Sequence, residues 1–258
     1  MRYAAVSTRP PIFRPPDRIA LISDIHGNLT ALEAVLEDIS ERGVTSIFNL
    51  GDLIGKGPRG AAVVDRCREI CDVTVQGNWD AGISTADDAV CEWHRAQLGT
   101  ERLNYLNALP GCFDFLFSGR TLRLYHASEQ GVLHRVYETA PRERHRAMFE
   151  NTAFTGHGTE PSIVACGDIH TAYIINFEDR TLINAGSVGN AFDTPGACYV
   201  LEGVLGSAAP APWSVNVVRL PYDIEAELAV ADAMGMPKLA EYRHELRTAI
   251  YRGRMVAT

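Results

Sequence analysis

Short apolar runs along this chain repeatedly end in side chains that bind divalent metals: Asp24-Ile25-His26-Gly27-Asn28, Gly51-Asp52, Gly77-Asn78-Trp79-Asp80, Tyr125-His126-Ala127-Ser128 and Gly167-Asp168-Ile169-His170. Helical periodicity separates the early runs. Residues 18–23 read as a buried strand, and Leu29, Leu32, Val35, Leu36 and Ile39 then fall at helical spacing up to Gly43. The pattern repeats with a strand over 46–50, a helix over 61–70 and a strand over 72–76. Strands alternating with helices predict a layered α/β architecture. Parallel α/β sheets bind ligands at the carboxyl ends of their strands, where these polar clusters fall. One Asp or Asn beside a Gly is ordinarily a turn or a cap. The ordered series is what points to a single convergent site.

The remainder is less regular. Residues 83–107 look helical and are expected to form a cap (83–109). Residues 113–117 and 121–126, joined by Ser118-Gly119-Arg120, read as a hairpin. A charged helix over 141–150, a buried strand over 162–166 and a mostly β stretch over 172–220 follow, with turns at Glu178-Asp179-Arg180 and near Pro210. Residues 223–252 read as two helices broken at Gly235 and Pro237. Residues 1–16 are rich in Pro and Arg, lack periodicity and are expected to be a flexible lead-in to one domain over 17–258.

Composition narrows the function classes. With 258 residues, 46% of them hydrophobic, the chain buries a full core. A net charge of −8 argues against nucleic acid or an anionic membrane as the main partner. No apolar run reaches the roughly 20 residues needed to span a bilayer. The first residues lack a basic stretch followed by an apolar one. Six scattered cysteines read as buried, reduced thiols, and a cytoplasmic location is the expectation.

Asp24 and His26, two residues apart after a strand, point the same way in extended backbone and address one ion. A carboxylate with an imidazole suits first-row cations such as Mn, Fe, Co or Zn. Asp52 closes the next strand, and a central carboxylate can bridge two cations. Asn78 offers a neutral oxygen, and His126 and His170 offer nitrogens.

The series resembles the calcineurin-like metallophosphoesterase superfamily, whose pattern is D-x-H, G-D, G-N-H or G-N-x-D, H and G-H-x-H. Asp24-x-His26-Gly-Asn, Gly51-Asp52-Leu-Ile-Gly-Lys-Gly-Pro58 and Asn184-Ala-Gly-Ser-Val-Gly189 are most similar to its small bacterial and archaeal phosphodiesterase-type branch. The resemblance runs from about residue 18 to residue 252. It implies a four-layer α/β/β/α sandwich of two mixed β-sheets flanked by helices, with a small helical cap. It implies two divalent metal ions, Mn foremost, with Fe, Zn, Co, Ni or Mg as alternatives. Asp24, His26, Asp52 and His170 would hold the first. The shared Asp52, Asn78, His126 and Asp168 would hold the second. Two cations roughly 3.5–4 Å apart share a hydroxide for in-line attack on phosphorus. Asn28 would approach the substrate phosphate as well as cap a helix. Lys56 and Arg59 are further candidate phosphate contacts.

Two positions depart from the family. Asp168 stands where a His is usual, a harder ligand that favours Mn or Mg. His157 is an alternative source of that imidazole, with a plain loop histidine the simpler reading. Trp79 stands where many members carry the His that protonates the leaving group, and Trp cannot donate that proton. Asp80, grouped with Asn28 as a catalytic candidate, matches the carboxylate that follows. Such an enzyme should favour activated aryl esters or phosphodiesters. The expected activity is therefore a di-metal phosphodiesterase acting on a small phosphate ester. A monoesterase, a bis-nucleoside polyphosphate or protein phosphatase, and a catalytically weak metal-binding scaffold are the alternatives. A homo-oligomer stays open. His94, His134, His145 and His244 lack motif context and read as surface or cap residues, and Trp93 reads as core.

Overall fold

A computed structural model describes residues 18–203 and 213–254. The proposed lead-in at 1–16 and the turn near Pro210 lie outside the described residues. Strand β1 (Arg18–Ile22) pairs in parallel with β2 (Ser46–Asn49), and β2 with β3 (Val73–Thr74), in a register that sets Leu21 opposite Phe48. The crossovers are α1 (Leu29–Glu41) and α2 (Gly60–Ile70). After β3 come α3 (Asn78–Gly82), α4 (Ala89–Ala108), the hairpin β4–β5 (Cys112–Phe117 and Arg120–Tyr125), α5 (Arg142–Ala147), β6 (Ile163–Cys166), β7 (Ala172–Asn176) and β8 (Thr181–Ala185). Strands β9 (Ala197–Gly203) and β10 (Val215–Leu220), helices α6 (Ile224–Ala233) and α7 (Leu239–Thr248), and a 3-10 turn (Arg252–Arg254) complete the order.

The strands form two mixed five-stranded sheets, β10-β9-β1-β2-β3 and β4-β5-β6-β8-β7. Alternation along each strand sorts its side chains between the layers. Ile19, Leu21 and Phe48 meet Leu122, Leu124, Ile163, Ala165 and Ile183 in the core between the sheets. Ala20 and Ile22 face the other way, against Leu32, Val35 and Leu36 of α1 and Val63 and Val64 of α2. On the far side, Tyr125, Val164, Cys166 and Leu182 pack under Met148 and Phe149 at the end of α5. This is the α/β/β/α sandwich, with a thin fourth layer in which the expected 141–150 helix shortens to α5 and connecting segments.

Two local expectations shift, and a third holds. The strand over 72–76 contracts to Val73–Thr74, because the Gln76 amide leaves the sheet for the Pro110 carbonyl at 2.8 Å. Helix α4 is interrupted at Gly99, where φ is 69° and ψ 166°, values outside the helical region. The two C-terminal helices form as expected around Gly235 and Pro237, and α6 packs on α1. Among the described residues no helix is long and apolar enough to cross a membrane.

Candidate metal centre

The loops that follow β1, β2, β3, β5 and β6 converge. Asp24, His26, Asp52, Asp168 and His170 all take left-handed backbone, with φ between 51° and 68°. That conformation costs a non-glycine residue on the order of 1–3 kcal/mol and persists only where surroundings enforce it. The surroundings here are tight. A Cβ on Gly77 would strike the Asp52 carboxylate, and one on Gly167 would strike Ser23 and Asp24.

Two groups of ligand atoms each lie within 4.8 Å of one another: Asp24, His26 and His170, and Asp24, Asp52 and His126. Backbone carbonyls fix the three imidazoles. His26 Nδ1 lies 2.9 Å from Ile54 O, His126 Nδ1 2.7 Å from Leu50 O and His170 Nδ1 2.5 Å from Asn190 O. A carbonyl only accepts, so each Nδ1 carries a proton, and in its neutral form each ring presents a lone pair at Nε2. His26 Nε2 and His170 Nε2 stand 3.0 Å apart. Asp24 Oδ1 is 3.3 Å from the latter and 3.6 Å from the former, buried without a hydrogen-bond partner among the described residues. With neutral rings, two lone pairs and an orphaned carboxylate oxygen face one another and are electrostatically unsatisfied without a proton or a metal cation.

The second group has the same character. Asp52 Oδ2 lies 3.5 Å from both His26 Nε2 of the first group and His126 Nε2 of the second, and Asp24 belongs to both groups. The inward atom of the Asn78 amide faces Asp52 Oδ2 at 3.2 Å, Asp168 Oδ1 at 3.1 Å and His126 Nε2 at 3.1 Å. With nitrogen inward the amide donates to these acceptors. With oxygen inward it completes a cage of acceptors suited to a cation. Burial works against charge on Asp24, yet the His170 imidazole holds its carboxyl well below the usual range. Burial likewise disfavours a charged His126, and the Asp52 carboxylate pushes it well above its ordinary value.

Residues 18–204 match the calcineurin-like phosphoesterase superfamily domain. The chain belongs to that superfamily. It is 29% identical over 225 residues to an uncharacterized protein of Methanocaldococcus jannaschii, a match covering 80% of this chain and 88% of that one. The phosphodiesterase YfcE of Escherichia coli is 34% identical over 76 residues, which cover 26% of this chain and 41% of YfcE. Among solved structures, a metallophosphoesterase from Sphaerobacter thermophilus superposes with a TM-score of 0.72 at 25% identity, covering 91% of this chain and 100% of that one. A hypothetical protein from Pyrococcus horikoshii shares the fold, with a TM-score of 0.71 at 15% identity over 92% of this chain and 99% of that one.

The phosphoesterase opens this candidate metal-ligand cluster to a cavity of about 590 Å³, where Asp52, Asp168 and His170 form part of the wall. Lys56 lines it, its Nζ donating to Asn190 Oδ1 at 2.8 Å and lying 4.8 Å from the Phe192 ring centre. Trp79 lines it too, edge-on to both His26 and His94 with ring centres 6.1 Å apart in each case. The segment expected to form a cap contributes Val90 and His94 from α4, and the C-terminal region adds Lys238, Tyr251 and Arg252.

Three candidates lie elsewhere in this phosphoesterase. Asn28 is fully buried as the cap of α1. Its Oδ1 accepts from Ala31 N at 3.0 Å, while its Nδ2 donates to Gly189 O at 2.9 Å and Tyr222 Oη at 3.0 Å. Its hydrogen-bonding capacity is spent away from the cavity wall. Arg59 pairs with the buried Glu227 and donates to Thr30, so a phosphate would have to compete with a carboxylate for it. Asp80 is also fully buried. Its Oδ2 accepts from Asp52 N (2.8 Å) and Gly77 N (3.0 Å), and its Oδ1 accepts from Leu53 N (3.1 Å). It holds the backbone that carries Asp52 and touches no reacting group. His157 is exposed and off the cavity wall. Sequence reasoning missed His94 and Arg135. Neither belongs to a motif, and only the folded chain brings them to this wall.

Proposed function

We propose that the protein is a dinuclear metal-dependent phosphodiesterase acting on a small phosphate ester. The observation that carries this reading is the 3.0 Å approach of His26 Nε2 and His170 Nε2 beside the orphaned Asp24 oxygen. Asp24, His26, His170 and Asp52 would hold one cation. Asp52, Asn78, His126 and Asp168 would hold the other. Three carboxylates and an amide oxygen among the donors favour Mn over softer metals. Bound divalent cations supply Lewis-acid polarisation of the phosphoryl group and a lowered pKa for water.

The chain's own residues do the rest. Asp80 fixes the Asp52 loop, and Trp79 N donates to Asp52 Oδ1 at 2.8 Å, leaving Oδ2 to the cluster. Lys56 brings positive charge to the cavity for a phosphoryl oxygen. Trp79 occupies the wall without a proton to give an alkoxide, which favours the better leaving groups of diesters and aryl esters. The cavity suits a small organic ligand. The phosphodiesterase name of the partly matching Escherichia coli protein supports the same choice. Five described cysteines, unbridged, agree with a cytoplasmic setting.

The test is a substrate panel with Mn, comparing bis-(p-nitrophenyl) phosphate, p-nitrophenyl phosphate and an alkyl monoester, with Asp52→Asn as the blank. The diester is expected to turn over fastest. Equal or faster turnover of the alkyl monoester refutes the diesterase assignment.

A further inference from the structure

Asp168 does something an imidazole at its position would not. A metal-bound imidazole turns an N–H outward, whereas a carboxylate keeps a second acceptor free. Arg135 uses that acceptor. Its Nε lies 3.1 Å from Asp168 Oδ1 and 2.9 Å from Asp168 Oδ2. Asp168 is only 5% exposed and also faces Asn78 and His126, so the carboxylate joins the metal-ligand cluster to the guanidinium.

The bond uses one of the five guanidinium N–H groups. Among the described residues, neither Nη of Arg135 has a hydrogen-bond partner, and the side chain is half exposed on the cavity wall. Three other cations on that wall are more committed, and Arg254, also on it, is exposed and has no contact with the candidate cluster. Lys238 pairs with Glu241, and Arg252 gives its backbone N, Nε and Nη2 to Glu245. Lys56 is tied to Asn190. A planar fork fixed at Nε and open at both Nη groups matches two oxygens of a phosphoryl group.

We infer that Arg135 is a substrate-binding residue, held by Asp168 so that its two free Nη groups take the non-bridging oxygens of the phosphoryl group. The inference rests on the phosphoesterase reading and adds a specificity element that depends on having Asp, not His, at 168. A diester monoanion and its product monoester would both be gripped this way, with the ester substituents directed into the rest of the cavity.

The experiment measures binding of inorganic phosphate to Mn-loaded protein by calorimetry, alongside bound Mn, for wild type, Arg135→Ala and Arg135→Lys. Arg135→Ala is expected to keep its Mn, weaken phosphate affinity about 10- to 100-fold and raise KM with a smaller change in kcat. Arg135→Lys should recover only part, because it restores charge without the fork. Unchanged phosphate affinity in Arg135→Ala overturns the inference. So does loss of Mn, which would make Arg135 a charge partner for Asp168 alone. If wild type binds phosphate but cleaves no phosphate ester, the proposed function fails, while the binding data still judge Arg135.

Discussion

His26 and His170 aim their Nε2 nitrogens at each other across 3.0 Å, their rings stacked at 26° and their other nitrogens committed to backbone carbonyls. A chain does not settle into such an apposition for its own stability. Strained left-handed backbone at both residues adds to the cost. The arrangement makes sense as one prepared for a cation, and several measurable consequences follow from the surrounding contacts.

Metal removal should destabilise the fold. A cation at 100 times its dissociation constant stabilises by about 2.7 kcal/mol, which corresponds to about 5–10 °C in a chain of this size. Calorimetric melting with and without a chelator checks this. An unchanged Tm contradicts a site occupied in the folded state.

Asp80→Ala should lower stability by about 3 kcal/mol or more, since it strands the amides of Asp52, Leu53 and Gly77 in a buried setting. Metal affinity should fall with it, because the Asp52 loop loses its anchor. Urea unfolding and metal titration read the two effects separately. A stable variant with normal metal binding would remove Asp80 from its positioning role.

Arg59 and Lys56 should separate cleanly. Arg59→Ala leaves buried Glu227 without its cation and is expected to cost roughly 3–5 kcal/mol of stability, with KM unchanged. Lys56→Ala should raise KM with a smaller loss of stability. The reverse pattern, in melts and steady-state kinetics, would restore Arg59 as the phosphate contact.

Substrate affinity should depend on Lys56 charge. Burial lowers its pKa to about 8, so the cation is present below that pH and is lost as pH rises through it. KM is therefore expected to climb above pH 8 and to stay flatter in Lys56→Arg. The same shift runs the other way for stability. Between about 8 and the unfolded value near 10.4 the unfolded chain binds the extra proton, so this group adds stability as pH increases. A KM independent of pH across that window rules out a contribution from the Lys56 charge.

The candidate cluster was legible because each member sits within a few residues of a strand end, and a strand end is visible locally. Order and spacing pointed to one convergent site, the family resemblance assigned Asp24, His26, Asp52, Asn78, His126, Asp168 and His170 to it, and the fold brings these residues together. What the sequence did not show involves partners distant in the chain. Arg59 looked free until Glu227, far along the chain on α6, took it. Asn28 looked available until Gly189 and Tyr222 consumed its amide. His94 and Arg135 carry no motif, and only the packing of α4 and of the segment after β5 brings them to the cavity. The break in α4 rests on a single Gly99, which helical periodicity tolerates.

Metal stoichiometry after Mn loading tests the central claim most directly, with Asp52→Asn measured beside wild type. The bridging position of Asp52 Oδ2, 3.5 Å from His26 and from His126, predicts about two equivalents in wild type and a marked loss in the variant. Fewer than about one equivalent in wild type, or an undiminished content in Asp52→Asn, would contradict a dinuclear centre built on these residues.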